Sequence, residues 1–499
     1  MSTQAPIPAP APVTPSPPSK NPTEIDLGNI QGDILSGLPK KTETFYFFQI
    51  IHPVHFKRDL RQLIPLIKTV ADVGKDRKKI QDYKDRVKHH PEENLPPLIH
   101  LAGVNIALSH LAFEEIGIDD SKLDDPAFTN GQLKDSESLK DKGTGTGPTF
   151  VPDWEEPFKK PIHGVIIVTG DCHPTVDKTV QQIENIFDVN GSSPSISLVT
   201  SIRGDVRPGD LSAHEHFGYL DGVSNPAVIG FDKDPAPGPK PVPAGKILLG
   251  HDGDANRDKR EPWMVDGSFL VFRYLFQKVP EFDDFVERSS GRLVRPGLDK
   301  KEAADLLGAR LVGRWKSGAP IDITPFHDNP HLAENPQRNN DFSFSAEINV
   351  QKLCPFASHV RRTMPRDDIP EDQVEAHRIL RRGIQFGPEV TKQEKRTKTT
   401  MHGRGLLFAC YQSSISDGFR FIQTRWSNNV RFPPGETTPE TPGLDPIIGQ
   451  GTPADRKMSG FNPDKPSDEL AFDDLWVVPR GGEYFFSPSI EGLKDIIAA

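Results

Sequence analysis

The stretch Cys354–Arg366, CPFASHVRRTMPR, gathers the side chains best suited to chemistry. His359 stands between a Cys-Pro-Phe turn and the cations Arg361, Arg362 and Arg366, with Lys352 just upstream. Pro355 and Pro365 bracket it and leave room for a short helix. An imidazole with cations close by suits a planar dianion held through a metal. Iron takes the imidazole from one face, and carboxylates at the ring's rim take Arg or Lys. Haem has both features.

Two other stretches add to this. HEHFGYLDGVSNP at 214–226 puts Asp221 in a turn bounded by Gly218 and Gly222, which let the backbone approach a flat ligand. The plain alternative is an ordinary Asp-Gly turn. His214 and His216 form an H-x-H pair that could bind a metal, but no third ligand is placed. RILRRGIQFGPE at 378–389 sets Arg381 and Arg382 before Gly383, where a surface basic pair is the plain alternative. Taken together, the three stretches suit peroxide chemistry. A base must take a proton from hydrogen peroxide and return it to the departing oxygen. A fixed cation must stabilise charge as the O–O bond breaks, and arginine stays charged at any working pH. An aspartate with a reference pKa of about 3.9 in the base's role implies activity favouring acid.

These groups must be positioned by a chain of 499 residues, long enough for two domains with insertions. A hydrophobic content of 35% and charged content of 26% fit a globular protein. Net charge −10 and pI 5.9 argue against general nucleic-acid binding. Three cysteines, none in a CxxC pair, argue against zinc or iron–sulfur sites. No apolar run is long enough for a membrane span, so no membrane partner is expected. Residues 1–23 read as a disordered Pro/Ala-rich tail with no signal peptide visible.

Strands are expected over 44–52, 98–105, 164–169 and 195–202, with amphipathic helices over 55–71 and along Val176, Val180, Ile183 and Phe187. Residues 75–94 read as a solvated excursion and 118–160 as a long surface insertion. The order β-α-β-β-α-β is the ferredoxin-like pattern. After a loop-rich linker at 230–262, strands at 268–276, 405–411 and 484–487 repeat it. Helices are expected over 281–290 and 301–312, and along Ile415, Phe419, Ile422 and Trp426. The expected fold is α+β: two ferredoxin-like domains with long loop insertions, over 24–228 and 229–499.

The chain resembles the dye-decolorising peroxidases of the fungal type. The matching pieces are NIQGDIL at 29–35, VNIALSH at 104–110, GYLDGVSNP, CPFASHVRRTMPR, ILRRGIQFG at 379–387, GLLFACYQ at 405–412, GLDPIIGQ at 443–450 and GGEYFFSPSI at 481–490. The resemblance implies a dimeric α+β barrel fold with haem b (heme b), one per chain, in the second domain. His359 then resembles the proximal iron ligand and Asp445 the carboxylate accepting its N–H. Asp221 resembles the distal acid/base, and Arg381 the distal arginine, with Arg382 second. Leu406 and Phe408 match apolar residues of the distal pocket, and Arg361 and Arg366 are candidate propionate partners.

The resemblance implies hydrogen peroxide as the oxidant, acting through an oxoferryl porphyrin radical, with anthraquinone and azo dyes, phenolics and Mn(II) as the donors oxidised. Phe386 stands where several relatives carry tyrosine, which leaves Trp426 as the candidate surface electron relay. Its place on the stripe with Ile415, Phe419 and Ile422 equally suits a core residue. A monomer or weak homodimer is expected, extracellular by resemblance or cytoplasmic as the alternative. A haem carrier or iron-releasing protein on this scaffold would need His359 but not Asp221. A haem-free ferredoxin-like protein would need neither.

Overall fold

The computed structural model describes residues 25–89, 99–293, 297–348, 350–434 and 441–499. The expected 1–23 tail lies outside the described residues. Strands form where aromatic and β-branched residues concentrate, as in TETFYFFQI. The main sheet comprises Thr42–Ile50 (β1), Ala102–Leu108 (β2), Gly164–Gly170 (β3), Ile196–Asp205 (β4), Ser268–Gln277 (β5), Leu380–Arg381 (β6), Ile384–Phe386 (β7), Gly405–Gln412 (β8) and Val477–Ser487 (β9). Its order is β4-β1-β3-β2-β9-β5-β8-β6, with β7 also on β8, and the pairings are antiparallel.

Each half therefore runs fourth, first, third, second, which is the ferredoxin-like order expected. The halves share one sheet. β2 meets β9 at Leu108 and Phe486. At the far end β4 approaches β7 across Gly204, where a Cβ would stand 2.4 Å from the Ile384 side chain and 2.7 Å from the Gln385 carbonyl. The sheet thus curls until its two ends touch, as an α+β barrel.

Side chains alternate across the sheet. Phe45, Phe47, Phe272, Leu407, Ala409, Tyr411 and Phe485 point inward and fill the barrel. Phe272 sits with its ring centroid 4.8 Å from Phe45 and 4.9 Å from Phe47. Tyr46 and Phe48 point outward with Phe56, Leu60, Val176 and Ile183, from helices Pro53–Leu63 and His173–Ile186. In the second half the outward residues Arg273, Leu275, Gln277, Leu406 and Phe408 line a cavity instead.

Several expectations are corrected. The charged run from Lys75 is solvated as expected but regular: it is the outer part of one helix, Val70–His89, with Val70 and Val73 buried and pairs such as Lys75–Asp72 along its flank, while residues 90–94 of that run lie outside the described residues. The helix expected over 55–71 ends at Leu63 and tightens into a 3₁₀ turn, Ile64–Leu66. The last strand is longer than expected. The stripe from Ile415 becomes helical only at Phe419–Phe421 and continues as a π-helix, Ile422–Ser427.

Residues 118–160 are a surface insertion only in part: 142–149 are exposed, but the segment also enters the core. Phe128, Trp154 and Phe158 are buried, and Asp141 reaches into the second half to grip Arg273 at 2.7 and 2.8 Å. Trp154 donates to the same carboxylate at 3.0 Å. Two of its polar side chains, Asp141 and Gln132, satisfy a buried cation. Asp141→Ala would strand that guanidinium, at a cost of about 3–5 kcal/mol in denaturant unfolding, largely recovered by adding Arg273→Met. A loss below about 1 kcal/mol would show the pair to be unimportant.

Candidate active site

His359 is the first residue of the short helix His359–Thr363. The turn before it is held from Glu347, whose Oε2 accepts the N–H groups of Leu353 and Cys354 at 2.7 and 3.1 Å. His359 Nδ1 lies 3.0 Å from Oδ2 of Asp445, a buried residue. The other oxygen of Asp445 accepts the N–H groups of Ile447 and Ile448 at 2.8 and 3.1 Å. A carboxylate pinned in this way wants a donor, so Nδ1 carries the proton and Nε2 keeps its lone pair for a metal. His359 lines the cavity.

Asp221 and Arg381 line the same cavity. Arg381 Nη1 donates to Asp221 Oδ1 at 2.9 Å, and the Gly222 N–H donates to that oxygen at 2.6 Å. Gly222 has φ +75°, which glycine adopts at no steric cost. Both side chains are about one-third exposed, at 30% and 33%. Arg381 is placed by pairing with Cys410 on β8, while Asn225 holds its backbone N–H and C=O at 3.2 and 3.3 Å. Arg382 points to the opposite face and donates to the carbonyls of Asp33 and Leu35. Strand alternation thus puts Arg381, not Arg382, at the cavity. Leu406 and Phe408 line it from β8.

The cavity has about 1700 Å³ of empty space, its open mouth included. Its walls are mostly apolar, among them Val360, Met364, Ile379, Phe419 and Ile448. Against these stand three buried or nearly buried arginines, Arg314, Arg366 and Arg378, with no carboxylate paired to them among the described residues. Arg314 donates to the Gly318 and Asn339 carbonyls at 2.8 Å, and Arg366 to that of Asn340 at 3.1 Å. Arg378 contacts Met364 Sδ at 3.1 Å. Burial and then mutual repulsion pull Arg314 down to about 9 and Arg366 and Arg378 to about 10. Arg366 Nε is buried without a partner. Cations kept this way ask for an anion from outside the chain.

Two expectations fail. Arg361 does not line the cavity. It is bound bidentately to Asp368 at 2.6 Å and clamped between the Phe344 and Phe356 rings, each 4.4 Å away. Trp426 is not at the surface. It is 3% exposed, stacked on Phe432 at 5.3 Å and edge-on to His377 and Phe421. The core reading of its stripe was the right one.

The H-x-H reading of His214 and His216 also finds no third ligand. Among the described residues, the donors close enough to share an ion are His100, Asp171 and Cys172, within 4.8 Å of one another. His216 instead uses Nε2 on the Phe386 carbonyl at 2.8 Å. Sequence reasoning missed Arg314 and Arg378. Arg378 had a signal, since it leads the RILRRG run; Arg314, beyond a helix C-cap glycine, had none.

Comparison with known proteins agrees with this geometry. Residues 29–208 match the family model described as DyP dimeric alpha+beta barrel domain, and 214–431 match Dyp-type peroxidase, C-terminal. The dye-decolorizing peroxidase AauDyP1 of Auricularia auricula-judae is 40% identical over 492 residues, covering 96% of this chain and 88% of the relative. A solved variant of the Pleurotus ostreatus dye-decolorizing peroxidase has TM-score 0.89 and 52% identity, over 95% of this chain and 100% of that one. A dye-decolorizing peroxidase solved with 2,6-dimethoxyphenol has TM-score 0.83 and 39% identity, over 95% and 100%. The chain belongs to the dye-decolorising peroxidase family, fungal type, and is a peroxidase. The family implies haem, and the donors fit it: a histidine Nε2 free to bind iron, and arginines lacking an anion.

Arg378→Met should raise the unfolding free energy of the haem-free protein by about 1 kcal/mol, because an uncompensated charge is removed. The same change should speed haem loss to apomyoglobin about tenfold or more, at roughly 1.5–3 kcal/mol per lost charged hydrogen bond. A less stable apoprotein with unchanged haem retention would contradict the assignment.

Proposed function

We propose that this peroxidase uses haem b and hydrogen peroxide to oxidise aromatic dyes and phenolics, with Asp221 moving the proton and Arg381 stabilising charge. The observation that carries the reading is the Asp221–Arg381 pair on the wall of the cavity that His359 also lines. His359 Nε2 would hold the iron, and Asp445 would make that nitrogen a stronger donor by accepting the Nδ1 proton. Bound haem supplies the redox chemistry, taking two oxidising equivalents from peroxide.

Both hydrogen bonds to Asp221 land on Oδ1, which leaves Oδ2 to accept a proton from the inner peroxide oxygen. The same carboxyl then gives the proton to the outer oxygen, which leaves as water. Arg381 keeps the carboxylate oriented and offsets negative charge as the O–O bond parts. Leu406 and Phe408 present an apolar wall that favours a small peroxide over a bulky donor. Arg366, Arg378 and Arg314 would meet the propionates. Phenolic donors are supported by the 2,6-dimethoxyphenol complex of a relative.

In Asp221→Asn, haem content and the Soret band should match the parent. The second-order rate with hydrogen peroxide should fall about 10²–10⁴-fold in stopped-flow. A rate within a few-fold of the parent would remove Asp221 from the acid/base role.

A further inference from the structure

We infer that Glu215, a residue to which the chemistry above gives no part, positions Asp221 by forming the inner frame of the turn that carries it. This rests on the reading of Asp221 as the proton carrier.

Glu215 lines the cavity in the same motif as Asp221. Its carboxylate lies inside its own loop, which closes by Glu215 N–H donating to the Tyr219 carbonyl at 3.0 Å. Oε1 accepts the Tyr219 N–H at 2.8 Å, and Oε2 accepts the Phe217 N–H at 2.8 Å. A third donor comes from the other half of the molecule: Gln277 Nε2, on the last residue of β5, lies 2.5 Å from Oε2. Gln277 makes that bond although its own Oε1 is left buried without a partner.

The backbone of Glu215 is gripped as well. Its carbonyl accepts the Gly218 N–H at 2.9 Å and Arg207 Nη1 at 2.5 Å. Arg207 is itself held bidentately by Glu389 at 2.8 and 2.6 Å. From this hub the chain needs only Leu220, bridged to His214, to reach Asp221, whose N–H closes on the Ala213 carbonyl at 2.9 Å.

A carboxylate is the one side chain of this size that accepts at both ends. An amide in its place would turn an NH₂ toward donors and open the loop. The loss would fall on the direction of Asp221, two residues beyond Tyr219. Proton transfer is sensitive to that direction, since displacement of a reacting group by an ångström can cost about a hundredfold.

The test compares Glu215→Gln, Asp221→Asn and the double variant as holoenzymes by stopped-flow. Glu215→Gln should keep haem content and the Soret band. It should slow the peroxide reaction about ten- to hundredfold and leave dye oxidation by already-oxidised enzyme at the parent rate. In the Asp221→Asn background it should add nothing, because a residue acting only through Asp221 has nothing left to act on. Equal slowing in both backgrounds, or slowing of the dye step as well, overturns the inference. If Asp221→Asn alone leaves the peroxide step unchanged, the acid/base reading itself has failed and the inference falls with it.

If Glu215→Gln does not fold, Gln277→Met decides, since it removes one donor from outside the turn. A few-fold slowing of the peroxide step in the parent, lost in Asp221→Asn, supports the inference. No slowing, or the same slowing in both backgrounds, overturns it.

Discussion

Strand β8 faces two interiors at once, and most of the molecule follows from that. Its odd-numbered side chains Leu407, Ala409 and Tyr411 close the aromatic filling of the barrel, while Leu406 and Phe408 wall the cavity. A two-residue period leaves no position free on either side. The neighbouring strand obeys the same rule, so two adjacent arginines part company, one toward Asp221 and one toward the Asp33 and Leu35 carbonyls. A one-residue slip of either strand would exchange cavity and core.

The cavity keeps its charge unbalanced by design. Arg381 has Asp221, but Arg314, Arg366 and Arg378 are met by carbonyl oxygens, a thioether and the Phe342 ring, with no carboxylate paired to them among the described residues. That arrangement costs the empty chain stability and favours an anionic guest. Other buried arginines meet carboxylates, Arg404 with Glu394, Arg361 with Asp368 and Arg273 with Asp141, while Arg310 and Arg362 are held by backbone carbonyls. What sets Arg314, Arg366 and Arg378 apart is that they line the cavity itself.

Much of the fold and site was legible in the sequence where a local rule decides. Strand runs such as TFYFFQI, the Gly-bounded Asp221 and the order of the motifs all survive in the structure. Legibility failed where a partner distant in sequence decides. Nothing near Arg361 announces that Asp368 and two phenylalanine rings will take it. The apolar stripe through Trp426 suited both a core and a helix end near water, and Phe432 with His377 resolved it toward the core. The polar segment around Asp141 looked solvated because the cation it serves lies 132 residues away. Glu215 was hidden for both reasons: two of its partners are backbone amides of its own loop, which leave no mark on a sequence, and the third, Gln277, is distant along the chain.

Strand β9 lies between β2 of the first half and β5 of the second. It pairs with β5 from Val477 to Ser487, but among the described residues its ladder to β2 is the single step Phe486–Leu108. The join between the halves is therefore the thinnest line of backbone hydrogen bonding in the sheet, and a molecule pulled from its two ends would part there before either half came undone.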